Sequence, residues 1–186
     1  MKKTDIHLHL TFEQHPKTEH MFVSSAEHML PHLRELSIEK GILMSSGEGN
    51  SAVPFGSNDE CRQIAEAFPG IYFWMCNLDD VPENIFERLE TYKNQGAVGI
   101  GELMINRSID DPMIQEIFAA AETLSLPVLF HMSPEVGYEY GIVDDAGLPL
   151  LEESLKKYPN LKFIGHSQPF WHEISGDASG DLSSRM

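Results

Sequence analysis

"TDIHLHL" occupies residues 4–10, and as a strand it sends two different sets of side chains to two faces. In an extended chain the side chains at i, i+2 and i+4 leave the same face. Asp5, His7 and His9 therefore share one face, and Ile6, Leu8 and Leu10 share the other. The apolar set is a core face. The polar set offers a carboxylate and two imidazoles, group types that bind divalent cations. A half-exposed strand of an antiparallel sheet shows the same alternation, so the stretch by itself leaves both readings open. The rest of the chain decides between them.

Short apolar runs recur along the chain: KTDIHLHL (3–10), GILMSS (41–46), IYFWMC (71–76), AVGIGE (97–102), PVLFHM (127–132) and LKFIGH (161–166). Amphipathic stretches separate them: SAEHMLPHLRELSIEK (25–40), SNDECRQIAEAF (57–68), VPENIFERLETYKNQ (81–95), DPMIQEIFAAAETLS (111–125) and GLPLLEESLKKY (147–158). Several of these open with Ser, Asn or Asp near a Pro or Glu, as helix starts do. Alternating strands and helices, with strands apolar nearly throughout, specify a parallel sheet covered by helices. Six βα units are legible, which is an α/β fold of the barrel or doubly wound kind. His7 and His9, Glu102, His131 and His166 fall at the C-terminal ends of strands one, four, five and six. In parallel α/β folds that end carries the active site. His15 and His20 read as loop residues, and His28 and His32 as a surface pair at helical i, i+4 spacing.

Composition narrows the functional classes. At 186 residues the chain is one domain able to bury a core. Two cysteines, Cys61 and Cys76, form neither a disulfide framework nor a CxxC pair, so a reducing cytoplasm is expected. The N-terminal apolar run is too short and too interrupted by His for a signal peptide, and no window has the length of a membrane span. Thirteen basic against twenty-nine acidic residues give a net charge of −16. That balance argues against nucleic acid and anionic membranes as partners.

The constellation resembles the amidohydrolase superfamily, metal-dependent hydrolases built on a (β/α)8 barrel, and in particular its amidohydrolase-related and TatD-like branches. The resemblance rests on the D-x-H-x-H of Asp5–His9, with "GIGE" ending at Glu102, "FH" at 130–131 and "GHSQPFW" at 165–171. It implies a TIM-type barrel over residues 1–171, with residues 172–186 as a polar tail. His7, His9 and His131 are implied metal ligands, most simply for Zn²⁺, with one or two ions present. Glu102 matches a bridging or ligating carboxylate, and His166 a residue that binds a second metal or polarises the substrate. Glu102 and His166 are thus the catalytic candidates as well as metal ligands. Asp5 is expected to orient a histidine from behind. The implied reaction is attack of a metal-activated water on an amide, ester or lactone-type bond. A decarboxylase of the same superfamily is the alternative.

Superfamily members also carry a metal-binding Asp at the end of strand eight, and no eighth strand is legible. Asp177 and Asp181 lie in the tail, but neither ends an apolar strand. A full barrel needs roughly 200–250 residues. The expectation is an incomplete barrel of about six βα units whose open edges, at strands one and six, favour self-association into a homo-oligomer. On this reading the missing carboxylate leaves either an impaired metal-binding fragment or an enzyme relying on Glu102 or His166 as its base.

Overall fold

The computed structural model describes residues 2–17, 22–49 and 55–175. His20, Asp177 and Asp181 lie outside the described residues. Strands and helices alternate as β1 (Lys3–Leu8), α1 (Ala26–Glu35), β2 (Ile38–Met44), α2 (Asn58–Ala67), β3 (Tyr72–Met75), α3 (Ile85–Asn94), β4 (Ile100–Leu103), α4 (Pro112–Leu124), β5 (Val128–Ser133), β6 (Ile142–Val143), α5 (Pro149–Lys157), β7 (Phe163–His166) and α6 (Gln168–Ser175).

Local chemistry sets the helix starts. Ser25 accepts from the His28 N–H, Ser57 from Glu60 N–H, and Asp111 from Met113 N–H, each satisfying a donor the first turn leaves free. Pro112 and Pro149 sit in the first turns of α4 and α5, where the missing N–H costs nothing.

Every strand pairing is parallel. β1, β2 and β3 are neighbours in that order, and β4 pairs β5, which pairs β7. A Cys76–Ile100 bridge joins β3 to β4 and makes one curved sheet of the two halves. The strands thus run in chain order, as in a barrel and unlike a doubly wound sheet, whose order reverses midway. The architecture is an incomplete TIM-type (β/α) barrel. Among the described residues, β1 and β7 each have a single strand neighbour.

Alternation along the strands divides the apolar side chains into two layers. The larger lies between sheet and helices: Leu43, Tyr72, Trp74, Val128 and Phe130 pack there against Leu33, Ile64, Leu89, Ile117 and Phe118. Each such fully buried side chain contributes about 1.5–3 kcal/mol relative to exposure. The smaller layer fills the barrel interior, with Met44, Met75 and Leu129 at its centre and Ile42 and Ile164 beside them. Gly101 belongs to this layer because a Cβ there would lie 3.0 Å from Met75 Sδ, 3.1 Å from Met44 Sδ and 3.2 Å from Leu129 Cβ.

Four details differ from the sequence reading. Ile38–Lys40, expected to end the first helix, instead open β2, because Ser37 takes a left-handed φ of 59° and turns the chain so that Ile38 pairs Lys3. The two-residue β6 pairs the last residues of β5, Met132 and Ser133. Helix α6 covers 168–175, across the expected boundary at 171/172. Ile6, expected on a core face, is 46% exposed, on a strand at the sheet's edge.

Candidate functional site

The five residues singled out from sequence meet at one point, the carboxylate of Glu102. Its strand, β4, is buried along its whole length, and Glu102 itself is only 4% exposed. A carboxylate in that position must be compensated by donors or cations. Four imidazoles surround it. His131 Nδ1 donates to Oε1 at 2.7 Å, and His166 Nε2 lies 3.6 Å from the same oxygen. His7 Nε2 and His9 Nε2 lie 3.4 and 3.5 Å from Oε2.

The sheet delivers these rings. His131 and His166 are register partners on β5 and β7, so their rings stand side by side with centroids 5.6 Å apart. His7 points the same way as His9, which follows directly after β1, and their Nε2 atoms are 2.9 Å apart. The His7 ring also packs on His166 at 4.1 Å, closing the circle from the first strand to the last. Asp5 accepts from the backbone N–H of His7 at 3.0 Å. It fixes the chain at His7 rather than the imidazole, which refines the role expected for it.

Electrostatics fit the geometry. Burial acts to raise the Glu102 pKa, but hydrogen bonds from His131, His7 and His9 outweigh it and hold the carboxyl well below the usual carboxylate range. Burial, and then the neighbouring His7, push the His166 imidazole below its ordinary value. His7 Nδ1 is buried with no hydrogen-bond partner among the described residues. A buried ionised carboxylate with imidazole nitrogens around it is a donor set that divalent ions take. The ligand atoms of His7, Glu102 and His166 all lie within 4.8 Å of one another. Ligands to one tetrahedral ion with bonds of 2.0–2.1 Å stand roughly 3.3 Å apart, close to the His7–His9 and His7–Glu102 spacings. The residues present fit a divalent metal.

A cleft of about 740 Å³ opens beside His131, lined by Tyr138, Tyr140, Gln168 and Pro169 among others. Its volume suits a small molecule. Tyr140 sets its ring edge-on against His131, with centroids 4.6 Å apart. Asn106 staples the wall of the cleft: its Nδ2 donates to Gly141 O at 2.8 Å, and its Oδ1 accepts from Gly137 N–H at 2.6 Å. Neither Tyr140 nor Asn106 carried a signal in the sequence, because their roles come from contacts between segments remote along the chain. A second cavity, of about 720 Å³, is lined by Lys2, Arg34 and Lys40 and contains none of the five residues. His28 and His32 form a ring pair on α1, as their spacing implied. His172 is buried on α6.

Comparison with known proteins bears on the fold and the family. Similar solved structures include an uncharacterized TIM-barrel protein, Bb4693, from Bordetella bronchiseptica, at 17% identity and a TM-score of 0.63 over 96% of this chain and 72% of that one. Another is 5-carboxyvanillate decarboxylase LigW2 from Novosphingobium aromaticivorans with bound manganese, at 15% identity and a TM-score of 0.61 over 100% and 73% of the two chains. A third is a probable 2-pyrone-4,6-dicarboxylic acid hydrolase from Acinetobacter baumannii, at 16% identity and a TM-score of 0.51 over 95% and 77%. The chain spans 63% to 77% of the length of such structures. No curated protein matches the sequence. Among the described residues, no helix is long and apolar enough to cross a membrane. The amidohydrolase family model matches residues 4–179, from the first strand of the histidine circle to beyond the last, and the chain belongs to that family.

Proposed function

We propose that the chain is a metal-dependent hydrolase acting on an amide, ester or lactone-type bond of a small molecule. The observation that carries this reading is the buried Glu102 carboxylate with four histidine nitrogens 2.7–3.6 Å from its oxygens at one end of the strands. His7, His9, Glu102, His131 and His166 would hold one or two divalent ions, with Zn²⁺ the simplest choice for imidazole-rich ligation. Bound there, such an ion supplies Lewis acidity at neutral pH.

The protein's own residues divide the remaining work. Glu102 stays ionised, so it offers charge and ligand oxygens and is a weak proton acceptor. Where the other four residues hold the ion, His166 keeps the lone pair on Nε2 and, kept neutral by burial and by its neighbours, is the group that would take a proton from the attacking water and return it to the leaving group. Tyr140 and the stapled 134–141 segment bound the cleft where a substrate would lie against His131. Asp5 keeps His7 in place through its backbone.

Decarboxylation of a carboxylated aromatic is the second reading, supported by the likeness to a decarboxylase with bound manganese. A panel assay separates them. Zn²⁺- or Mn²⁺-loaded protein is offered esters, amides and lactones in one arm and hydroxybenzoates, with CO₂ detection, in the other. Hydrolysis that disappears in Glu102→Gln supports the proposal, and CO₂ release with no hydrolysis replaces it with the second reading. Tight metal binding with no turnover in either arm would instead assign the chain a metal-binding role without catalysis.

A further inference from the structure

One buried polar residue at the rim of the site has no part in the chemistry above. Ser167 follows His166 directly, is 6% exposed, and takes a left-handed φ of 91° where β7 ends and α6 begins. The backbone ladder between β5 and β7 stops at the His131–His166 pair. One step further, the Ser167 hydroxyl accepts from the Met132 N–H at 3.1 Å and donates to the Met132 carbonyl at 2.9 Å. A single side chain thus satisfies both backbone groups of a residue that is 3% exposed. It does so because the β7 backbone has already turned away, through Trp171 N–H donating to Ser167 O at 3.1 Å.

We infer that Ser167 is a positioning residue for the metal centre, its hydroxyl acting as a side-chain rung that fixes His131 and His166 against each other and against Glu102. The consequence is specific because both imidazoles address the same oxygen, Glu102 Oε1, at 2.7 and 3.6 Å. Each histidine is the residue next to one end of the clamp: His131 precedes Met132, and His166 precedes Ser167. Losing the hydroxyl leaves two buried backbone groups unpaired, and the strand ends separate or rotate to reach water. A left-handed φ also carries strain for any residue with a Cβ, so Ser167 holds its hydroxyl in this place at a conformational cost. The inference rests on the metal-centre reading for its functional meaning and on the clamp geometry for its structural content.

The test compares Ser167→Ala and Ser167→Gly with Tyr158→Phe. The last removes a hydroxyl that bonds Gln115 O at 2.9 Å, between α4 and α5 and away from the five residues. Glycine adopts positive φ freely, so Ser167→Gly removes the hydroxyl and the strain together and provides a folded variant if the alanine form is unstable. Zn²⁺ affinity is measured by chelator competition well below the melting temperature of every variant, and imidazole ¹⁵N–¹H spectra report the environments of His131 and His166. Both Ser167 variants are expected to lose roughly tenfold or more in affinity, the range for removing a group that supports metal ligands. Their His131 and His166 resonances should shift, while Tyr158→Phe stays within twofold and leaves those resonances in place. Wild-type affinity with unshifted imidazoles in the Ser167 variants overturns the inference. If the wild-type chain itself binds no Zn²⁺, the metal reading fails, and the imidazole spectra alone then decide whether Ser167 positions the two rings.

Discussion

Gly165→Ala is the most incisive perturbation of the wall that carries His166. Gly165 lies one residue before His166 on β7, and a Cβ placed there would overlap the tip of the Phe170 ring. That ring stands edge-on to Phe130, centroids 5.6 Å apart at 89°, and also contacts Trp171 at 5.9 Å. Phe170 therefore cannot accept the new methyl without leaving Phe130 or displacing α6. Overpacking of this kind costs about 1–3 kcal/mol. For a chain of this length each kcal/mol corresponds to roughly 2–4 °C in Tm, so the single variant should melt about 4–8 °C lower, taking 2 kcal/mol as central. The assay is urea denaturation with a double-mutant cycle. Phe170→Leu removes the ring tip, and in that background Gly165→Ala should cost under about 0.5 kcal/mol, a coupling well outside the usual additivity error. Equal destabilisation in both backgrounds would show that the glycine is needed for some reason other than the Phe170 contact.

Other outcomes follow from the same structure. Glu48 is held below its ordinary pKa: burial works the other way, but bonds from Arg88, the Asp79 N–H and Tyr92 OH outweigh it. A depressed folded pKa means that its stabilisation is whole above the unfolded value of 4.5 and is lost as pH falls through the folded one. The drop in urea midpoint from pH 7 toward acid should accordingly be smaller in Glu48→Gln; an unchanged acid slope would contradict this. Cys61 and Cys76 are buried, and burial pushes both thiols up to about 12. Neither should react with a disulfide reagent in the native protein, and both should react in denaturant; fast native labelling would contradict their burial. Asn106→Ala removes the staple on the 134–141 segment, and proteolysis within that segment should accelerate while the unfolding free energy falls by roughly 1–2 kcal/mol.

Much of this site was legible in the sequence because its logic is periodic. The i, i+2 spacing of His7 and His9, and the placement of Glu102, His131 and His166 at the ends of apolar runs, needed only the geometry of a strand and the rule that parallel strands share an active end. The alternation left barrel and doubly wound strand orders open, and the chain-order sheet was implied only by the family resemblance. What stayed hidden depends on positions rather than periods. The turn at Ser37 that hands Ile38–Lys40 to β2 falls inside a stretch, 25–40, whose pattern reads as one helix. Helix α6 begins where Ser167 turns left-handed, a conformation that no residue type announced. Tyr140 meets His131 only because Asn106, on another segment, holds the intervening chain. Asp5 was read as supporting a histidine, and it does, through the backbone of His7. The gathering of four imidazoles around a single buried carboxylate is tertiary, and only the assembled sheet displays it.

The most direct measurement is a metal titration of the chain and two variants. Metal-stripped protein, His7→Ala and Glu102→Gln are each titrated with Zn²⁺ and Mn²⁺ against a competing chelator, with X-ray absorption to identify the ligand atoms. The metal-centre assignment requires one or two ions bound by the wild-type chain through nitrogen and oxygen donors at about 2.0–2.2 Å. It also requires affinity at least about a hundredfold lower in each folded variant, since each loses a direct ligand. Wild-type binding no tighter than that of surface histidines, or affinity unchanged in both variants, would show that the circle of histidines around Glu102 is a hydrogen-bonded core and not a metal centre.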